Sequence, residues 1–486
     1  MSGLSRLLGA FRRRRGVRLA VLPFQPTVRP GERSEGPDPR EQVYGSGLAE
    51  ELIALLSRDP KLDVVGPLSV REFVGRTRDP ASWAEELGVG LVLTGRVDRT
   101  DTDLSVEARL VTAPEGAEVW VERWALRPED LFVILGEAAA KVGAAAGAAR
   151  TAQPEALLHR EPTSDLTAWD LYLEGRALLG RPDPSAIRSA VTAFEAALEH
   201  DELFASALAA IAEAYRIAHE SHVPIDRQNV LPMIRRIAER ALELDDALPG
   251  AYVSLAYADV HAWDLGSAER HLGRALALAP SHAQAHRWLS RVRLYQRDLP
   301  AAIAHAERAL ELEPLSTTVI NESGVPYALA GRPEVAIERA RRVVHRDPEH
   351  AMAYFHLGKY AEQTGRYGEA VTYYRAASEL SGRVPFLTAF LGMVLVKLGD
   401  RHEAEDIAND LERKGRRGSP VAACLGVLLL RLGRVDDGLT WIESALEARE
   451  MQLLLIDTPW LPLPEGVRAD PRIAALLERM PVSRHR

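Results

Sequence analysis

Hydrophobic and polar positions along the chain change period partway through. Residues 17–24 (VRLAVLPF) form a short apolar run that reads as a buried strand. A Gly-, Pro- and charge-rich stretch over 31–40 reads as a loop. Leu48, Leu52, Ile53, Leu55 and Leu56 then take the spacing of an amphipathic helix, with Gly45, Ser46 and Gly47 at its start. A strand over 62–65 is expected next, then a helix capped by Ser69 with Glu72 as its capping-box partner. Asp79 and Pro80 open another helix that runs to Leu87. Strands follow over 91–99, 104–112 and 119–126. In the middle one Leu104, Val106, Ala108 and Leu110 take one face, and Glu107 and Arg109 the other. A last helix, from about Pro128, ends near Ala149.

From about residue 167 the strand signal disappears and a 34-residue period replaces it. Ala256, Ser290, Gly324, Gly358, Gly392 and Gly426 keep one small-residue register. Ala268, Ala302, Ala336, Ala370, Ala404 and Gly438 keep a second, twelve residues further on. Ala275, Ala309, Val343, Ala377, Leu411 and Ala445 form a third, and Pro280, Pro314, Pro348 and Gly382 a fourth. Such a period holds two helices of about 13 residues with two turns. Small residues mark where paired helices cross closely, with Leu289, Leu357, Leu391 and Leu425 packed around them. The proline ends the second helix, which it cannot continue. Two looser units precede these: one carries Gly175, Ala190, Phe194 and Ala197, the other Ala212, Tyr215 and Ala241, with extra residues over 221–230.

Within one unit, Tyr354, Leu357, Gly358, Ala370, Tyr374 and Ala377 resemble the tetratricopeptide-repeat signature, with Gly382 where that family usually has proline. The resemblance implies a superhelix of about eight helix pairs in which the first helix of each pair lines a groove. Carried onto this sequence, the groove positions are Arg287, Arg291, Tyr295, Asn321, Phe355, Lys359 and Gln363, continued by Phe386, Met393 and Val396. The polar members loosely resemble, in permuted order, the carboxylate clamp of some family members. That implies a protein or peptide partner that is acidic or ends in a free carboxylate, held by charge-assisted contacts. The alternative is a solvated helix face. Reversing the charges of Arg287 and Arg291 is expected to weaken an acidic ligand and leave folding intact.

Read in order, LAVLPF (19–24), GLAEELIALLSR (47–58), LDVVGPLSV (62–70), ELGVGLVLTGRVDR (86–99), LSVEARLV (104–111), EVWVERW (118–124) and EDLFVILGE (129–137) resemble the TolB N-terminal-like domain of bacterial regulators. In that family the domain often precedes tetratricopeptide repeats and often follows a winged-helix or class III cyclase domain. Only 16 residues precede it here, so the expected role is that of a sensor or scaffold without its output domain. Pro459-Trp460 and residues 468–480 are similar to the way those proteins end.

Composition narrows the function further. The net charge of −9 over 486 residues argues against nucleic acid as a direct partner. The charge is uneven: Arg6, Arg12, Arg13, Arg14, Arg15 and Arg18 lie in the first 18 residues without an acid. With Leu4, Leu7, Leu8 and Phe11 they could form an amphipathic helix on anionic lipid, although a solvated tail is the more ordinary reading. The single cysteine, Cys424, excludes an intramolecular disulfide and is expected to be a buried structural thiol. No apolar run is long enough for a membrane span, and a cytoplasmic protein is expected.

No catalytic constellation survives inspection. Gly88 and Gly90 precede a strand and lack the further glycine of a dinucleotide loop. His219 with His222, and His282 with His286, lack a third ligand, so no metal site or cofactor is expected. The expected fold class is α+β overall: a small N-terminal α/β domain, then an all-α repeat superhelix. The expected domains are a basic tail over 1–16, the α/β domain over 17–149, a linker over 150–166, the repeats over 167–452 and a capping segment over 453–486. The expected function is that of a non-enzymatic adaptor. The alternative is a small-anion or nucleotide sensor or enzyme using the helix start at Gly45–Gly47.

Overall fold

A computed structural model describes residues 17–26, 39–74, 80–99, 103–113, 115–127, 130–146, 161–179, 183–221, 223, 227–416 and 420–480. The basic tail, the 31–38 stretch, Asp79, most of the linker and His222 lie outside the described residues.

The strands are β1 (Val17–Val21), β2 (Gln25–Pro26), β3 (Leu62–Val64), β4 (Leu91–Arg99), β5 (Leu104–Thr112) and β6 (Glu118–Leu126). They make one mixed sheet in the order β3-β1-β4-β5-β6, with β2 also on β4. Pairing is parallel across β3-β1-β4 and antiparallel across β4-β5-β6, with Leu19 opposite Leu91 and Leu93 opposite Leu110. The period-two pattern of β5 places Leu104, Val106, Ala108 and Leu110 in the core, as its sequence predicts. β1 stops at Val21, before Pro23, which has no N–H for a ladder.

Two expected element starts differ from the sequence reading. The helix expected from Leu48 begins at Pro39, so Gly45, Ser46 and Gly47 lie inside it. Gly45 packs on the carbonyl of Phe24 and Gly47 on the side chain of Leu173, where a Cβ would collide. These glycines permit close packing and do not open a helix. Ser69 does not cap one either: it lies within the short Pro67–Val70 helix, which a 3-10 turn over Arg71–Phe73 continues. Its hydroxyl accepts from the Leu315 N–H at 3.1 Å. A long-range partner has replaced the local capping box.

Beyond residue 165 the described elements are helices in pairs, apart from a short 3-10 turn (Met451–Leu455). By packing, the chain divides into two compact units. The first runs to Ala258 and includes Ala268–Trp288 and Arg308–Ser316; the second holds Asp259–Ser267, Leu289–Glu307 and the chain from Thr317 on.

In the first unit the sheet region and the helix pairs share a core that includes Trp169, Phe194 and Phe204. Polar contacts join them as well. Gly66 N–H donates to the Leu312 carbonyl at 2.8 Å, the Ser281 hydroxyl to the Leu62 carbonyl at 2.7 Å, and Arg308 pairs with Asp63. The buried Glu313 carboxylate accepts from the N–H groups of Leu68 (3.1 Å) and Ser69 (2.7 Å). Burial pushes this carboxyl up to about 7, against those hydrogen bonds. A chain of alternating charges also runs through this unit. Arg71 meets Glu50 at 2.7 Å; Arg176 joins Glu50 (3.0 Å) to Glu213 (2.8 Å); Arg216 joins Glu213 (3.6 Å) to Glu220; and Arg287 closes on Glu220 at 2.6 Å.

In the second unit the small-residue registers meet as the period requires. The Ser290 hydroxyl donates to the Ala302 carbonyl at 2.8 Å. A Cβ on Gly324 would lie 3.0 Å from Ala336 Cα, and one on Gly426 2.9 Å from the Gly438 carbonyl. A further register lies at the turn within each pair: Gly331, Gly365, Gly399 and Gly433 have φ of 76°, 76°, 89° and 84°. Trp263 and Arg297 hold the same positions with φ of 63°, a conformation that disfavours a Cβ. One first helix is broken into Thr317–Ser323 and Val325–Leu329, with Pro326 near the start of the second piece.

Candidate functional site

The helix Ala351–Gln363 presents Phe355, Lys359 and Gln363 at four-residue intervals, so they share one face. His356 and Tyr360 lie beside them. Over this face returns the segment that follows the last repeat. Trp460 stands edge-on to Phe355, His356 and Tyr360, with ring centres 6.0, 5.4 and 6.4 Å apart. The Lys359 ammonium lies 4.9 Å from the centre of Phe390 and 5.9 Å from that of Trp460. Gln363 Nε2 donates to the Pro459 carbonyl at 3.4 Å, and Arg431 Nη2 to the Pro462 carbonyl at 3.4 Å.

Glu362 holds the charges together. Its carboxylate meets Lys359 at 3.0 Å, Arg431 at 3.3 Å and Lys397 at 3.7 Å, and accepts from the Tyr374 hydroxyl at 3.0 Å. Burial alone would push this carboxyl up, but the surrounding cations hold it at about 2. Burial lowers the pKa of Lys359, which is 1% exposed, against the pull of Glu362. Three cations thus surround one carboxylate. His356 adds none, because burial pushes its imidazole down to about 3.

The other expected groove residues lie on other helices. Arg291 pairs with Glu322 at 3.1 Å. Tyr295 and Asn321 are buried in the second unit. Arg287, in the first unit, is 6% exposed and paired with Glu220, so reversing its charge would bury two carboxylates together. The expectation that this substitution leaves folding intact is corrected on that ground. Met393 is buried, and its carbonyl accepts from Arg431 at 3.2 Å. Sequence reasoning missed Glu362, Arg431 and Trp460 as partners of Lys359 and Gln363. The available signal was a tryptophan set among prolines after the last repeat.

His282 and His286 make local contacts at one helix start. His282 Nδ1 accepts from the Ala285 N–H at 3.2 Å at a helix start, and burial pushes its imidazole down to about 4. His286 Nε2 lies 3.1 Å from the Pro280 carbonyl. Among the described residues no group of three or more His, Cys, Asp or Glu side chains is placed to hold a metal ion. No described helix is long and apolar enough to cross a membrane. Cys424 is buried, which raises its thiol far above the usual range.

The tetratricopeptide-repeat family model matches residues 253–316 and 329–383. The helices over these two stretches are tetratricopeptide repeats. The gap between the two matched stretches coincides with the broken helix at Gly324–Pro326. A curated relative, "Putative adenylate cyclase 3" of Rhizobium meliloti (strain 1021), is 26% identical over 240 residues, which are 49% of this chain and 40% of that protein. The match thus spans well under half the length of that relative. Among solved structures, the human IFIT1 dimer with m7Gppp-AAAA is 17% identical, over 58% of this chain and 72% of that one, with a TM-score of 0.42. YrrB, a TPR protein with an unusual peptide-binding site, is 20% identical over 39% of this chain and 93% of its own, with a TM-score of 0.28. Pseudomonas aeruginosa pilF is 17% identical over 42% and 90%, with a TM-score of 0.33.

Proposed function

We propose that this chain is a non-enzymatic scaffold that binds an extended segment of a partner protein on the first-helix face of its tetratricopeptide repeats. One observation carries the proposal: that face already holds backbone carbonyls of another segment of the chain, through Gln363 on the Pro459 carbonyl and Arg431 on the Pro462 carbonyl. The uneven charge around Glu362 favours a partner that brings an acidic side chain or a C-terminal carboxylate. The net charge of −9 disfavours nucleic acid.

In this proposal residues 17–149 form a TolB N-terminal-like sensor region, 167–452 the repeat array and 453–486 its terminal segment. The name of the Rhizobium relative motivates a place in bacterial cytoplasmic signalling linked to cyclic-nucleotide synthesis. The test is selection of a displayed peptide library on the full chain, wild type and Trp460→Leu. Lys397→Glu and Gln363→Ala, checked for folding by circular dichroism, serve as controls on the face. Enrichment that falls at least tenfold in the face variants is expected. Enrichment indifferent to both variants, or none on any form, would overturn the proposal.

A further inference from the structure

We infer that the ligand of this face presents a proline–tryptophan pair, and that Pro459-Trp460 is the chain's own occupant of that pocket, lifted out when a partner binds. The inference rests on the peptide-binding proposal above and names its ligand.

The pocket is matched to such a pair. Three rings, Phe355, His356 and Tyr360, surround Trp460 edge-on, at interplanar angles of 76°, 75° and 63°. The Lys359 ammonium adds a cation within reach of the Trp460 ring. Around it the face offers donors, the Gln363 amide and the Arg431 guanidinium. A proline contributes a carbonyl and no N–H, so a proline-flanked segment supplies acceptors without unpaired donors. Proline also fixes its own φ, which lowers the ordering cost of binding.

The internal occupant fits incompletely. Both carbonyl contacts are at 3.4 Å, near the outer limit of a hydrogen bond. Among the described residues, His356 Nδ1 and Gln363 Oε1, on the helix that carries this face, are buried without a hydrogen-bond partner. A partner peptide with polar groups beside its tryptophan can satisfy atoms that the internal segment leaves unpaired.

The geometry also confines the movement to a tip. Asp457 N–H closes a turn on the Leu461 carbonyl at 2.9 Å, and Asp457 holds a left-handed φ of 56°. Leu455, Ile456, Leu461 and Leu463 are buried on either side, whereas Asp457 and Pro459 are exposed. Thr458–Trp460 can therefore swing outward on two anchored ends.

The test uses a fluorescein-labelled, terminally blocked peptide of sequence DTPWLPLP (residues 457–464) and the full chain, read by fluorescence anisotropy. Weak binding to wild type and at least tenfold tighter binding to Trp460→Ala are expected. The same peptide with alanine for its tryptophan should bind neither. Should Trp460→Ala disturb the last repeats by circular dichroism, Trp460→Leu keeps apolar bulk and should tighten binding in the same direction. Equal affinity for wild type and the Trp460 variants, or binding that ignores the peptide's tryptophan, would overturn the inference. Library peptides without a Pro-Trp pair that bind wild type and variants equally, yet depend on Gln363 and Lys397, would overturn it while leaving the scaffold proposal standing.

Discussion

Gly66 lies with its backbone against the carboxyl group of Glu313, so close that a Cβ at that position would overlap Oε1. Gly66→Ala should therefore push the Pro67–Val70 helix off the repeat that carries Glu313. The expected cost is about 1–3 kcal/mol, the range for overpacking a tight site. Urea unfolding of wild type and variant measures it; a loss below about 0.5 kcal/mol, the size of an ordinary surface substitution, would mean that this contact is not tight.

Glu313 also sets a pH dependence with a definite sign. Its folded pKa is raised by burial from 4.5 to about 7, so the folded chain binds this proton more tightly than the unfolded chain. The group's contribution is most favourable below about 4.5 and is lost as pH rises through about 7. Relative to Glu313→Gln, wild type should lose about 3 kcal/mol over that window. Chemical denaturation of both proteins at a series of pH values tests this, and parallel curves would refute it.

Gly358 faces the ring of Tyr374, where a Cβ would lie 2.6 Å from Cδ1. Gly358→Ala should cost about 1–3 kcal/mol. Pairing it with Tyr374→Leu should recover part of the loss, giving a coupling energy of about 0.5–3 kcal/mol in a double-mutant cycle. Strict additivity would show that the two positions do not compete for space.

The charges beneath Trp460 respond unequally to removal. Glu362→Gln leaves Lys359 and Arg431 buried without a carboxylate and should cost about 3–5 kcal/mol. Lys359→Met leaves Glu362 with Arg431 and Lys397 and should cost under about 1.5 kcal/mol. Glu362, held at about 2, contributes stability above the ordinary carboxylate value of 4.5 that disappears as pH falls toward 2. Thermal melts of the two variants at neutral pH should rank them in this order.

Arg297 holds a backbone conformation that its counterparts Gly331, Gly365, Gly399 and Gly433 adopt without a side chain. Arg297→Gly should therefore stabilise the second unit, by up to about 1 kcal/mol, because left-handed strain outweighs the added chain entropy. A lowered melting temperature would contradict this.

The local architecture was largely legible. The alternation of β5 and the helical registers are properties of neighbours in sequence, and Ser290–Ala302 and Gly426–Gly438 meet where the period put them. The glycines of the left-handed turns were equally periodic, but Trp263 and Arg297 interrupted the register and hid it. Distant partners were not legible. The pattern around Ser69 fits a capping box, and only the fold shows that its hydroxyl serves Leu315. Lys359 and Gln363 could be placed on a helix face, but the return of Trp460 onto that face depends on contacts distant in sequence and on the turn at Asp457.

The chain of charges from Arg71 through Glu50, Arg176, Glu213, Arg216 and Glu220 to Arg287 bears on where this protein can be divided. A fragment beginning at Leu166 would keep Arg176 and Glu213 but forfeit Glu50 and Arg71, and would strip the cover from Leu173 and Leu315. Repeat arrays need a terminal unit to shield their first exposed face. Here the sheet region covers the first helices, so a piece of this array that begins at Leu166 is expected to be less stable than one that begins at β1.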